Sequence, residues 1–141
     1  MGFFSSLFNS NETTKAKILN DLDVMDAINA HVHWKMRLEK YINGTSEEKL
    51  DPKIICLDNQ CKLGTWIHST AVEHFHDDES LTDLREEHAK FHVLASRIVE
   101  NVQAGNKPAA QDLMDGDYKY TSRKVLFALT ELSKQLQMSS K

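Results

Sequence analysis

Apolar residues recur at intervals of three and four along most of the chain, and the polar positions between them fall on the opposite face. Ile18, Leu22, Met25, Ile28 and Val32 set this rhythm first, which is the period of an amphipathic α-helix. The pattern predicts a first helix that starts near Asn11–Thr14 and stops at Asn43-Gly44, a pair suited to a left-handed C-terminal cap. Residues 45–60 mix Thr, Ser, Asp-Pro and Asp-Asn and read as a connector with at most one helical turn, around Ile54 and Ile55. From Cys61 to Phe75, Leu63, Trp66, Ile67 and Val72 predict a short, partly buried helix. Asp77-Asp78-Glu79-Ser80 then supplies a cap and favourable first-turn charge. The helix that follows carries the stripe Leu81, Leu84, His88, Phe91, Ala95, Ile98 and Val102 up to the break at Gly105-Asn106-Lys107-Pro108. A last helix opens at Pro108 and buries Met114, Tyr118, Thr121, Val125, Ala128, Leu132 and Leu136. The expected fold is all-α, a four-helix bundle of three long helices and one short helix that carries the cysteine motif.

Composition narrows the function more than the fold. A length of 141 residues suits one domain. Seventeen basic against 21 acidic side chains leave a net charge of −4 with no basic patch, which argues against nucleic acid as a partner. No apolar run approaches the roughly 20 residues that cross a bilayer, and the start lacks the marks of a secretory leader, so a cytoplasmic location is expected. Residues 1–12 form an apolar tail in which Phe3, Phe4, Leu7 and Phe8 would share one helical face. That face is open to three uses: membrane-surface contact, packing on the bundle, or packing on a second chain. Two cysteines, Cys56 and Cys61, are too few for a disulfide framework. The seven histidines all lie between His31 and His92.

His88-Ala89-Lys90-Phe91-His92 places two imidazoles one turn apart on the apolar stripe, where both can reach one metal ion. A hydrogen-bonded or surface pair is the equally weighted alternative. His31 shares a face with Val24, Ile28, Leu38 and Ile42, whereas His33, about 200° around the helix, faces solvent. Cys61 opens the short helix beside Gly64 and Trp66 and would otherwise be a small core residue. Four inward groups of His and Cys type from three segments suit tetrahedral zinc better than other common ions. His68, His74 and His76 share no helical spacing with these and read as exposed or loop residues, and Cys56 reads as a buried residue, with a second thiol near Cys61 as the alternative.

The sequence resembles the chemoreceptor zinc-binding (CZB) domain, a bacterial module attached to chemotaxis receptors and diguanylate cyclases and also found as a lone protein. The resemblance is carried by His31-Val32-His33-Trp34, by Cys61-Lys62-Leu63-Gly64-Thr65-Trp66-Ile67 and by His88-Ala89-Lys90-Phe91-His92, and it covers about residues 13–138. It implies a bundle domain over 13–138 with Zn2+ held by His31, Cys61, His88 and His92. It further implies a non-enzymatic sensor of zinc or of oxidants such as hypochlorite, acting on a separate chemoreceptor or diguanylate cyclase pathway protein.

Two other classes compete. A di-iron, hemerythrin-like bundle needs carboxylates four residues from a histidine, and only His74 has one, Asp78. A zinc hydrolase needs an open fourth position and a general base, and Glu87 turns about 100° away from His88. The first helix carries a second apolar face, Ile18, Leu22, Met25 and Val32, which the tail or a homodimer would cover.

Overall fold

The computed structural model describes residues 24–59, 61–71 and 79–139. Among them the chain is helical with no strand: α1 Val24–Asn43, a single turn α2 Pro52–Ile55, α3 Lys62–Trp66, α4 Glu79–Gln103, α5 Lys107–Leu113 and α6 Lys119–Ser139. Wider π turns extend α3 over Ile67–Ala71 and join α5 to α6 over Met114–Tyr118. The all-α bundle expected from the periodicity is therefore observed. The start of the first helix, the tail, Val72, Asp77-Asp78, His74 and His76 lie outside the described residues.

Both predicted helix ends have a local cause. At Gly44, with φ at 77°, Gly44 N–H donates to the Tyr41 carbonyl and Thr45 N–H to the Lys40 carbonyl. The same pair of bonds recurs at Gly105, with φ at 78°, from Gly105 to Val102 and from Asn106 to Asn101. This is the Schellman arrangement, which uses carbonyls that the helix end leaves without partners and needs a left-handed residue that glycine supplies. Asn106 then caps α5 by accepting from Ala109 N–H, with Pro108 in the first turn. Asp51 caps α2 in the same way, accepting from Lys53 N–H at 3.0 Å ahead of Pro52.

Helix α4 is the axis of the bundle, since α1, α2, α5, α6 and both π turns pack against it. Its stripe Leu81, Leu84, His88, Phe91, Ala95 and Ile98 is buried, while Val102, at the end of the stripe, is only partly covered. Helix α6 runs antiparallel to α4, with Lys124 beside Glu87 and Tyr118 beside Phe91. Helix α1 runs parallel to it, with His31 beside Phe91 and Tyr41 beside Gln103. The Gln103 amide ties three segments together at that end by donating to the Leu50 carbonyl at 2.8 Å and to the Tyr41 hydroxyl at 3.1 Å. The connector is pinned to α1 by the paired bonds of Arg37 to Glu48. Its turn α2 turns Ile55 inward and leaves Ile54 exposed. The Met114–Tyr118 π turn holds one residue more than an α turn and lets Ala110, Met114, Tyr118 and Thr121 all enter the core.

Candidate metal centre

Phe91 lies between the candidate site and the rest of the core. Its ring meets His31 at 4.8 Å, His92 at 5.6 Å and Tyr118 at 5.1 Å between centroids. Around it the three histidines singled out in the sequence come together, all buried, with ligating atoms within 4.8 Å of one another. Cys61 joins them from α3: its Sγ is 3.4 Å from His88 Nε2 and 3.6 Å from His92 Nε2. The two Nε2 atoms are 3.1 Å apart. Zinc bonds of about 2.0–2.1 Å to nitrogen and 2.3 Å to sulfur, at tetrahedral angles, separate two nitrogens by roughly 3.3 Å and nitrogen from sulfur by roughly 3.6 Å. The spacings among His88, His92 and Cys61 therefore fit one such ion, with the His31 donor atom within 4.8 Å of those of the other two histidines.

The proton positions fit as well. His31 Nδ1 is 2.8 Å from the Ala27 carbonyl and His92 Nδ1 is 2.9 Å from the Ile55 carbonyl. A carbonyl can only accept, so each Nδ1 carries the proton and each Nε2 presents a bare lone pair, as metal-binding imidazoles do. His88 is different, because its buried Nδ1 has no partner in the protein. Without a cation, its Nε2–H can donate to His92 Nε2. Binding of a cation by His88 Nε2 would require that proton on Nδ1 instead, which would leave all three Nε2 atoms available as donors. Cys61 caps α3 by accepting from Gly64 N–H at 3.2 Å.

Gly64 is required here for space. A Cβ at this position would run into the carbonyl oxygen of Asp58, so only glycine lets the 57–59 loop fold back onto α3 and hold Cys61 at the cluster. Thr65 adds a hydroxyl bond to the Asn59 carbonyl at 3.3 Å, and His68 Nε2 meets Asp58 Oδ2 at 3.1 Å.

The remaining candidates separate cleanly. His33 and His68 are exposed. Cys56 is half-buried rather than buried, and its thiol donates to the Lys53 carbonyl at 3.3 Å. The Ile55 carbonyl, which orients His92, has no signal in the sequence, since any residue type would offer it. Glu87 lies beside Lys90 at 3.5 Å and Lys124 at 3.8 Å, in ion pairs with the α4 and α6 surface.

Burial sets the charge state of these four candidate donors. It lowers the basicity of all three imidazoles, that of His88 to about 2, with the neighbouring histidines adding to the effect there. For His31 and His92 the carbonyl bonds offset part of the lowering. Burial also pushes the Cys61 thiol up, against the opposing pull of the Gly64 N–H. Histidines held neutral in the fold but protonated in the unfolded chain stabilise the fold fully above the unfolded value of about 6.5, and less as the pH falls below it. Metal-free protein should therefore lose stability below about pH 6.5, by about 1.4 kcal/mol per pH unit from His88 with further loss in the same direction from His31 and His92. Urea unfolding from pH 8 to pH 5 checks this, and a flat profile would contradict the buried, neutral cluster.

No curated protein and no solved structure matches the chain. One family model does, that of the chemoreceptor zinc-binding domain, and the match runs from residue 31 to residue 99. That stretch opens on His31, contains Cys61, His88 and His92, and ends within α4. The resemblance carried by the three motifs is thus borne out: residues 31–99 match the chemoreceptor zinc-binding domain family.

Proposed function

We propose that the chain is a zinc-binding regulatory module in which His31, Cys61, His88 and His92 hold one Zn2+ ion. The observation that carries this reading is the spacing of the donors, 3.1 Å between nitrogens and 3.4 and 3.6 Å from sulfur to nitrogen. When bound, zinc keeps the Cys61 sulfur as a thiolate and closes the cluster with four protein ligands, the composition of a structural or sensing site rather than a hydrolytic one. Ion pairing of Glu87 with lysines on the outer surface supports the same conclusion, because it keeps that carboxylate from serving as a general base. A di-iron centre lacks support too, since no carboxylate belongs to the cluster among the described residues.

The stimulus in this reading is a change in zinc supply or oxidation of Cys61. Cys61 is the one donor of the four that is not buried, so an oxidant reaches it first, and a sulfenic acid there removes one ligand. Loss of that ligand releases the N-terminal cap of α3 from the cluster, while Leu63, Trp66 and Ile67 keep the helix packed on the core. The signal passes to a separate protein of chemotaxis or cyclic-di-GMP type, in the cytoplasm. A second copy of the chain covers the outer stripe of α1, where Met25, Val32 and Met36 are at least half exposed.

Metal analysis of protein purified without a His-tag and without added zinc should find one zinc per chain. Single alanine changes at His31, Cys61, His88 or His92 should each lower occupancy severalfold, while changes at His33, His68, His74 or His76 leave it intact. Full occupancy in the Cys61→Ala protein would overturn the ligand set. Light scattering of the zinc-loaded protein at micromolar concentration should give twice the chain mass of 16.1 kDa, and Val32→Glu with Met36→Glu should return it to the single-chain value. A single-chain mass for the unaltered protein would remove the dimer.

A further inference from the structure

The four candidate donors differ in burial among the described residues. His31, His88 and His92 are buried, whereas Cys61 is half-exposed, so an ion arrives and leaves past the sulfur. On that side stands a pair that the four-ligand site does not use. Asp58 folds over Gly64, the residue whose N–H bonds the Cys61 sulfur, and its carboxylate meets His68 Nε2 at 3.1 Å. Both side chains are open to solvent, His68 by 40% and Asp58 by 28%.

From this placement we propose that Asp58 and His68 form a transient zinc-capture site, which receives the hydrated ion at the surface and hands it to Cys61. The proposal rests on the reading of His31, Cys61, His88 and His92 as the resident ligands. One carboxylate oxygen and one imidazole nitrogen about 3 Å apart can bind the same small cation, and zinc accepts both donor types. Two protein ligands leave two coordination positions for water, so the ion is held loosely and can exchange. The carboxylate also provides a local negative charge that draws a divalent cation toward the sulfur, an attraction that weakens with salt.

A capture site lies on the path in both directions. Removing it slows uptake and release alike and leaves the equilibrium affinity unchanged. A pair that only staples the loop behaves differently: without it the resident site loosens and release accelerates. The test is stopped-flow uptake of zinc from a buffered solution, and its release to a chromophoric chelator, for the full chain and for Asp58→Asn, His68→Ala and His68→Gln, with His33→Ala as a control. The glutamine amide can still donate to Asp58 but is a poor zinc ligand, so His68→Gln keeps the staple and loses the capture. We expect Asp58→Asn, His68→Ala and His68→Gln each to slow both rates about 10-fold at low salt with affinity unchanged, and the control to behave as the parent. Faster release with unchanged uptake, parental rates in His68→Gln, or no change in any variant would overturn the proposal. Absence of zinc uptake by the unaltered chain would instead overturn the ligand assignment on which it rests.

Discussion

Three imidazoles inside a small apolar core are costly unless their nitrogens find partners, and this constraint organises the centre of the bundle. Two of the six ring nitrogens bond backbone carbonyls, of Ala27 and of Ile55. The Nε2 atoms of His88 and His92 and the Cys61 sulfur lie 3.1–3.6 Å from one another with His31 beside them, an arrangement in which one cation would satisfy several of these groups at once. The cost of leaving them unmet, a few kcal/mol for each unpaired buried group, is comparable to the whole stability of a domain of this size. The metal centre and the core are therefore one structure. Phe91, which touches His31, His92 and Tyr118, is the clearest sign of that.

The Ile55 carbonyl gives the cluster its reach. It belongs to the α2 turn, and through His92 it ties the connector to α4, so the orientation of a ligand depends on how the connector is docked. Gly64 does the same for α3 by admitting the Asp58 backbone. A change at the cluster can thus be felt at two surface segments, the α2 turn and the 57–59 loop, without any shift in the long helices. Coupling of a buried cluster to surface segments is what a sensing module requires of its fold.

Much of this arrangement is legible in the order of the amino acids. Periodicity alone sets His31 inward and His33 outward, one turn of helix sets His88 above His92, and the glycines at 44 and 105 mark two helix ends that the backbone bonds explain. What the order of residues hides depends on the backbone rather than on side-chain type. The π turns at Ile67–Ala71 and Met114–Tyr118 differ from α turns by one residue of register, which a three-and-four pattern absorbs without trace. The carbonyls that orient His31 and His92 are common to all residues. Gly64 signals close packing, but its partner, the Asp58 carbonyl, lies across a loop whose path no local pattern encodes. His68 reads as a surface residue and is one, and its pairing with Asp58 follows only from the path of that same loop.

The central claim is that one ion is shared by three imidazoles and one thiolate. X-ray absorption at the zinc edge of the purified protein reads this set directly, through the metal–ligand distances and the sulfur contribution. The account predicts three nitrogens at about 2.0–2.1 Å and one sulfur at about 2.3 Å. A coordination sphere with no sulfur, or with two, would contradict it.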